Sequence, residues 1–477
     1  MLDRFVDSRG QMDGHDARLY KTSRSPARSP GRDSRTGNVL EAIIPGARRA
    51  ASFAPMFAGR PVTAGSDEPG PTGEAEGPIG SAVDMSSWTR AVAVGLGAYL
   101  VSRLCVIAAT AVRASQVVVD ARADGEPEPG VGSLISGVLT AWDGRWYLEL
   151  VRGGYPDSVP ANITYEQIEA RAAFFPLYPW TVRVVDAVLP GGDTIAALLL
   201  NFVLGAISVL LVGLLARRLY SIGVAARAMT LYAVFPGSAI LSFAYSEALL
   251  IVLAAACLLL LLDDRWLLAG LAAALATATR PNGIAVVAAC AVASFIAIRQ
   301  RRQWWSLISV ALAPVGFIFF QWYVDRTADE SGVWFRVQRE AWSEGTSFGA
   351  TAVTNTIGFL TSPLSSPADA LTALSMATLL FMVFCAWKVR LSWILVAFCA
   401  VVVALMLIPE TVTARPRFLF TAFPFFIAVA AWWPEPSGDR DHHRASWEYA
   451  GWDFTLVVCG AGLATLTGLY GAYGVIP

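Results

Sequence analysis

The sequence is poor in charge. Of its 477 residues, 15% are charged and 55% are hydrophobic, and the mean hydropathy is +0.52. This balance argues against a soluble multidomain protein and indicates a chain whose main solvent is the lipid bilayer. The formal net charge is only -1. Because binding to a phosphate backbone needs a concentrated excess of Lys and Arg, we expect no nucleic-acid partner.

Histidine and cysteine are also scarce. The three histidines, His15, His442 and His443, lie away from the region where the polar motifs collect. A catalytic base among those motifs must therefore be a carboxylate or a rarer group. The six cysteines show no paired spacing, which predicts small buried hydrophobic residues rather than disulfides or metal ligands. They are Cys105, Cys257, Cys290, Cys385, Cys399 and Cys459.

Apolar runs of membrane-spanning length begin at Ala91. Before them, residues 1–85 mix Arg, Asp, Gly, Pro and Ser without apolar periodicity, which predicts a disordered cytoplasmic tail. For residues 86–477 we predict an all-α polytopic membrane domain with about eleven transmembrane helices. The predicted spans are 91–112, 194–216, 227–244, 247–262, 266–279, 283–298, 304–324, 369–387, 391–408, 417–433 and 453–474.

The short loops predict the orientation. Basic residues at 217–218, 299–302 and 388–390 all fall on one side if every span crosses, and the positive-inside rule makes that side cytoplasmic. The opposite, extracytoplasmic side then receives the long segments 113–193 and 325–368. The unusual polar motifs fall on that side as well.

The first large loop, 113–193, carries the candidate base. It is too long for a simple connector, and long loops in compact proteins are usually functional or disordered. Its segments 133–150 and 168–188 are predicted to be amphipathic helices at the membrane surface. An interfacial aromatic belt is one explanation of the many rings. Asp143, flanked by Trp142 and a second tryptophan three residues later, favours a catalytic carboxylate.

Other charged residues near the ends of spans have two interpretations each. Glu247 lies just inside the membrane boundary, where an acid is more often functional than not, although it could also cap the following helix. Arg280 offers a planar fork for a phosphate or a snorkelling anchor. Arg415 and Arg417 allow the same two interpretations. Arg103, inside the first span, requires a partner in the bundle or a bound anion.

In order and spacing, these motifs resemble the GPI mannosyltransferase II family, called PIG-V, and more closely its bacterial relatives. The resemblance covers roughly residues 90 to 300, and the motifs are specific together rather than singly. The C-terminal third matches mainly in hydropathy. The matching pieces are 142–143, 154–155, 174–179, 235–236, 245–247 and 278–283, together with 415–420.

The resemblance implies a GT-C glycosyltransferase that takes a sugar, expected to be mannose, from a polyprenyl-phosphate carrier and inverts its anomeric carbon. Asp143 would accept the proton of the acceptor hydroxyl, and the anionic phosphate leaving group needs no protonating acid. Arg280, with Arg415 or Arg417, would stabilise the charge on the phosphate. The other expected substrate-binding residues are Trp142, Arg145, Tyr155, Tyr245, Glu247 and Asn282.

The expected partners are the lipid-linked donor, membrane lipid, and a glycolipid, glycan or protein acceptor of the cell envelope. No metal and no other cofactor is expected, because no step requires one. We expect a multi-pass protein of the cell membrane with a cytoplasmic N-terminus and an extracytoplasmic active site. The alternatives are a secondary transporter, for which the sequence shows no paired repeat, and a non-catalytic lipid-binding membrane protein.

Overall fold

The computed structural model describes residues 79–125, 127–363, 366–411, 413–434 and 442–472. This part of the chain is almost entirely helical, and its β-structure is limited to an isolated bridge between Thr346 and Pro409. The prediction of an all-α membrane protein is confirmed. The predicted N-terminal tail lies outside the described residues, apart from its last few positions, which belong to the first helix.

The α-helices follow one another along the chain with short connections. They are α1 (Ile79–Ala123), α2 (Val131–Leu139), α3 (Asp143–Gly153), α4 (Leu177–Asp186), α5 (Gly192–Leu219), α6 (Ile222–Val234), α7 (Glu247–Leu262), α8 (Trp266–Thr277), α9 (Ala285–Arg301), α10 (Leu307–Leu312), α11 (Val315–Thr327), α12 (Val333–Glu340), α13 (Ala350–Thr361), α14 (Pro367–Lys388), α15 (Trp393–Leu407), α16 (Pro416–Thr421), α17 (Pro424–Trp432) and α18 (His442–Gly471). Short 3-10 helices cover Ile168–Ala173, Pro236–Ser242, Pro281–Ile284 and Trp304–Ser306.

Six helices of the described part are long and apolar enough to cross a membrane, so the chain is an integral, multi-pass membrane protein. They are Met85–Ala123, Gly192–Leu219, Pro281–Arg301, Trp304–Thr327, Pro367–Lys388 and Ala450–Gly471. A seventh span forms if α6 and Pro236–Ser242, which meet at 74°, count as one broken helix.

Three other predicted spans coincide with apolar helices that are too short to cross a membrane alone. Helices α7, α8 and α15 are apolar but have 16, 12 and 15 residues. The predicted span 417–433 is divided into α16 and α17, because Pro424 interrupts the helical hydrogen bonding. Each predicted span therefore coincides with apolar helical segments, but fewer of them are long enough to cross alone.

Charged pairs mark the two ends of the bundle. At the C-terminal ends of α5, α7 and α9, Arg218 lies 3.2 Å from Asp263, and Arg301 pairs with Asp264. The start of α7 lies at the opposite end, where Glu247 pairs with Arg280. The basic loop residues and the polar motifs of these helices thus lie at opposite ends.

Arg103, in α1, finds its partners inside the bundle. Its Nη1 donates to the Ser238 carbonyl at 2.7 Å and to Ser242 Oγ at 2.9 Å, and its Nη2 donates to Ser238 Oγ at 2.9 Å. The bent Pro236–Ser242 segment supplies all three oxygens, namely one backbone carbonyl and two serine hydroxyls. The six cysteines are free thiols, which confirms their prediction as unpaired residues.

A second, smaller hydrophobic core is separate from that of the bundle. Trp146 and Phe175 from the first large loop pack in it with Phe320 of α11 and Val337 of α12. Arg336 also joins these segments, donating to the carbonyls of residues 159 and 160 at 3.1 and 2.9 Å. Helix α3 contributes to both cores, with Tyr147 in the core of the bundle and Trp146 in the second core.

Candidate active site

Asp143 begins α3, and the backbone directly before it is strained. Trp142 has φ +55° and ψ -122°, a combination that is rare for a bulky side chain and that concentrates at functional sites. The Asp143 N–H donates to the Tyr245 hydroxyl at 3.1 Å. That hydroxyl lies 3.1 Å from the Tyr470 hydroxyl, which donates to the Ala141 carbonyl at 2.7 Å. Two tyrosines thus fix the start of this helix.

The Asp143 carboxylate pairs with an arginine from the distant end of the chain. Arg417 Nη1 donates to Asp143 Oδ2 at 2.9 Å, and the two side chains are 7% and 12% exposed. Arg417 lies in α16, whose first residue packs against Gly237. A Cβ at Gly237 would lie 2.3 Å from the Pro416 carbonyl oxygen. Only glycine permits this approach, which holds Arg417 beside the carboxylate.

A second acid–base pair lies next to the first. Arg280 Nη1 lies 2.8 Å from Glu247 Oε2, and Glu247 is fully buried. The Tyr147 hydroxyl shares a 2.6 Å hydrogen bond with Ser246 Oγ, and Arg280 Nη1 donates to the same oxygen at 3.4 Å. Burial raises the pKa of Tyr147, so this hydroxyl stays protonated and neutral at physiological pH.

The corner 245–247 connects the two pairs. Tyr245 bonds the backbone of Asp143, and Glu247, two residues later, holds Arg280. Tyr147, one helical turn after Asp143, bonds Ser246 of the same corner. The site therefore contains two carboxylates and two guanidinium groups. A carboxylate can accept a proton, and a planar guanidinium can bind two phosphate oxygens.

Three other predicted residues are neighbours of the paired residues in the sequence. Trp142 is half-buried against the bundle core. Asn282 is half-buried in the turn that follows Arg280. Arg145 is exposed, and its guanidinium lies 5.2 Å above the Trp146 ring.

Two predicted residues are not brought to the pairs. Tyr155 is buried in the second core, where its hydroxyl donates to the Phe174 carbonyl. Arg415 is turned toward α14, where it donates to Thr372 Oγ1 at 3.1 Å and to the Ala368 carbonyl. The site therefore gathers Asp143, Tyr245, Glu247, Arg280 and Arg417, but not these two side chains.

The sequence reasoning missed three residues of the site. Tyr147 follows Asp143 by four positions, and this spacing on one helix face could have revealed it. Ser246 lies inside a motif that the sequence analysis singled out. No sequence motif pointed to Tyr470, because its hydrogen-bond partner Ala141 is 329 positions away in the chain.

An apolar groove of about 240 Å³ lies next to the chain segment that carries Arg417. It runs between α14 and α18, and Pro416, the neighbour of Arg417, lines it. Within the described ranges, no three His, Cys, Asp or Glu side chains group to hold a metal ion. The groove is lined by Phe235, Pro236, Leu371, Leu374, Ser375, Thr378, Pro416, Gly462, Thr465, Leu466 and Leu469.

Comparison with known families gives a partial match. Residues 172–324 match the family model described as dolichyl-phosphate-mannose-protein mannosyltransferase. This match indicates a glycosyltransferase of the GT-C superfamily. The matched segment contains Tyr245, Glu247 and Arg280 but neither Asp143 nor Arg417. None of the characterised proteins compared with the chain matches it in sequence.

Two solved structures are similar to this chain in part. ArnT from Cupriavidus metallidurans bound to undecaprenyl phosphate has 14% identity and a TM-score of 0.44, over 69% of this chain and 72% of that one. The Archaeoglobus fulgidus oligosaccharyltransferase in its apo form has 12% identity and a TM-score of 0.39, over 78% and 56% of the two chains.

Proposed function

We propose that this protein is a PIG-V-like membrane mannosyltransferase. It moves mannose from a polyprenyl-phosphate-mannose donor to a hydroxyl group of a glycolipid, glycan or protein at the extracytoplasmic membrane surface, with inversion. The observation that carries the proposal is the juxtaposition of the Asp143–Arg417 and Glu247–Arg280 pairs. The site combines a base for a hydroxyl with guanidinium groups for a phosphate.

The donor side of the site is defined by charge and by the apolar groove. Arg417 and Arg280 are the cations next to Asp143, and Pro416, the chain neighbour of Arg417, lines the groove. A polyprenyl-phosphate carrier needs this combination, because its phosphate seeks guanidinium groups while its tail must stay in an apolar environment. We place the phosphate at the two arginines and the first isoprene units in the groove.

The reaction then needs one proton transfer and one displacement. The Asp143 carboxylate takes the proton of the acceptor hydroxyl, whose oxygen forms a bond to the anomeric carbon from the face opposite the phosphate. The bond from that carbon to the phosphate oxygen breaks, and its electron pair stays on the phosphate. Arg417 and Arg280 stabilise the added negative charge on the leaving group. A single displacement inverts the anomeric carbon, and no step uses a metal.

The pairing of Asp143 with Arg417 fits this mechanism. A donor phosphate that binds Arg417 competes with the carboxylate for the same N–H groups. Asp143 then has oxygen lone pairs available for the acceptor hydroxyl. Donor binding would thereby prepare the base.

The test is transfer of radiolabelled mannose from polyprenyl-phosphate-mannose by membranes containing the full chain. Asp143→Asn keeps the size of the side chain but removes the base, so we expect the rate to fall by roughly 10² to 10⁴. Asp157→Asn is the matched control, because Asp157 is an exposed acid of the same loop. Its rate should equal that of the wild type.

Two results would contradict the proposal. One is a transfer rate for Asp143→Asn equal to that of the control variant, when gel filtration shows that both proteins are folded. The other is movement of the intact labelled lipid or of a free solute across the membrane without formation of a glycosidic bond, since a transporter would give that result.

A further inference from the structure

A buried amide in α5 contacts the chain segment that leads to the corner 245–247. Asn201 belongs to α5, a membrane-spanning helix, and its side chain is fully buried. Polar side chains inside the membrane are costly to bury and usually have a functional reason. Neither the sequence motifs nor the two ion pairs of the site include this residue.

Asn201 donates two hydrogen bonds from one nitrogen. Its Nδ2 donates to the Phe243 carbonyl and, at 2.7 Å, to the Tyr245 carbonyl. Both carbonyls lie between the bent Pro236–Ser242 segment and the start of α7, where the chain is not helical. Buried carbonyls outside regular helices need donors from elsewhere. A primary amide is a neutral group with two N–H donors on one nitrogen, so these bonds use the specific chemistry of asparagine.

The segment that these bonds hold is tightly folded. The Tyr245 N–H donates to the Phe243 carbonyl at 2.8 Å, which closes a three-residue turn centred on Ala244. The Ala244 N–H donates to the carbonyl of Leu139, the last residue of α2, at 2.9 Å. The turn is thus joined both to the segment that leads to Asp143 and, through the amide, to α5.

The corner carries one contact to each ion pair. The Tyr245 hydroxyl accepts a hydrogen bond from the Asp143 N–H at 3.1 Å, and Glu247 Oε2 lies 2.8 Å from Arg280 Nη1. Because Asn201 fixes the Tyr245 carbonyl, loss of its amide should shift the backbone from which both side chains project. A displacement of about 1 Å at reacting groups can lower a rate about 10²-fold.

We propose that Asn201 is a positioning residue of the active site. It holds the corner 245–247 in the conformation in which Tyr245 fixes the backbone of Asp143 and Glu247 orients Arg280. Its two hydrogen bonds go to backbone carbonyls, so it acts through the corner and not on the substrate. This inference rests on the proposed function, because it assigns a further residue to the same reaction.

Ser208 is the matched control for a purely structural role. It also lies in α5 and is fully buried. Its Oγ donates to the Gly205 carbonyl at 2.7 Å and accepts from the Tyr232 hydroxyl at 3.0 Å. Neither partner belongs to the corner. Loss of either polar side chain should lower the unfolding temperature, but only a change at Asn201 should lower the rate of transfer.

The experiment measures transfer from radiolabelled polyprenyl-phosphate-mannose by membranes containing equal amounts of each full-length variant. Asn201→Leu keeps roughly the size of the side chain and removes both donors, so we expect the rate at saturating donor to fall roughly 10- to 100-fold. The donor KM should stay within about twofold of the wild type. Asn201→Ser retains one hydroxyl donor and should lose less. Ser208→Ala should keep the wild-type rate, and thermal unfolding in detergent checks that each variant is folded.

A double-variant cycle identifies the contact through which Asn201 acts. Tyr245→Phe removes the hydroxyl that accepts from the Asp143 N–H. If Asn201 acts through this hydroxyl, Asn201→Leu should lower the rate by a smaller factor in the Tyr245→Phe chain than in the wild type. Adding Ser208→Ala to Tyr245→Phe should leave the rate of the Tyr245→Phe chain unchanged.

Three results would overturn the positioning role. They are a saturating rate for Asn201→Leu equal to that of Ser208→Ala, a rate loss of the same factor with and without Tyr245→Phe, and a raised donor KM with an unchanged saturating rate. If Asn201→Leu does not fold, Asn201→Ser takes its place in each comparison. Asp143→Asn reports the proposed function separately: a wild-type rate in that variant contradicts the function, whereas a loss there with no loss in Asn201→Leu overturns only this inference.

Discussion

The two ion pairs of the site use the same chemistry in different settings. Asp143 is 12% exposed and is paired with an arginine 274 positions away. Glu247 is fully buried and is paired with an arginine of the neighbouring hairpin. A carboxylate that keeps some exposure can meet a substrate hydroxyl, whereas a fully buried carboxylate cannot. In the proposed mechanism, the comparison favours Asp143 over Glu247 as the group that accepts the proton.

The two pairs also differ in how their energies balance. Burial of two charges is costly, and their attraction compensates only when the geometry is good. In the Glu247–Arg280 pair the carboxylate is the fully buried partner, so the cost of burial falls on Glu247. In the Asp143–Arg417 pair the carboxylate keeps 12% exposure, so an anion can compete with it for Arg417 more readily. We therefore distinguish a fixed pair from an exchangeable pair.

The largest expected effect comes from breaking the fixed pair. Arg280→Met leaves the Glu247 charge buried without a partner and should cost about 3–5 kcal/mol of stability. Adding Glu247→Gln in the same chain removes that charge and should recover most of the loss. Thermal unfolding of the purified proteins in detergent measures both changes.

Arg417→Met serves as the comparison for that measurement. Because Asp143 is partly exposed, loss of its partner should destabilise the protein less than Arg280→Met does. Equal losses in the two single variants would remove the distinction between a fixed and an exchangeable pair. A double variant no more stable than Arg280→Met would show that Glu247 is not the source of the cost.

An intermediate effect is expected from Arg417→Lys. Lysine keeps the positive charge but loses the planar fork that can hold a carboxylate or a phosphate bidentately. We expect the transfer rate to fall about tenfold, which is about 1.4 kcal/mol in the barrier, with little change in stability. Kinetics of labelled mannose transfer measure it.

The matched control is Arg183→Lys, since Arg183 bonds backbone carbonyls of residues 150 and 151 rather than a carboxylate. Its transfer rate should stay close to that of the wild type. If Arg417→Lys transfers mannose as fast as this control, a point charge is sufficient and the exchangeable pair has no geometric role.

The sequence predicts more of the fold than of the pairing within the site. Apolar run length depends on local composition, so each predicted span found its helical segment. Run length alone did not predict how many helices cross by themselves, because it does not register that Pro424 interrupts the helical hydrogen bonding within its run. The bend at Pro236 likewise divides a predicted span into two helices. The segment after the bend contains the hydrogen-bond partners of Arg103.

Proximity in the site was predictable where one motif carried several residues. The corner 245–247 contains both Tyr245 and Glu247. Arg280 was predicted on the same side of the membrane because successive helices alternate in direction. The partner of Asp143 was not predictable, because the choice between Arg415 and Arg417 depends on how α16 packs on Gly237. The sequence reasoning gave both arginines one role, and the structure turns Arg415 toward α14.

The smallest effects should come from the two tyrosine hydroxyls that serve the different pairs. Tyr147 bonds Ser246 beside the fixed pair, and Tyr245 bonds the backbone of Asp143 in the exchangeable pair. Each Phe variant loses about 1 kcal/mol of hydrogen bonding. We expect Tyr147→Phe to lower the unfolding temperature with little change in the transfer rate, because the hydrogen bond that it removes stabilises the surroundings of the fixed pair. Tyr245→Phe should lower the transfer rate more than the stability, because it removes the hydrogen bond that fixes the backbone of Asp143. Unfolding curves and transfer kinetics on both variants decide this, and identical profiles would mean that the two pairs act as one unit.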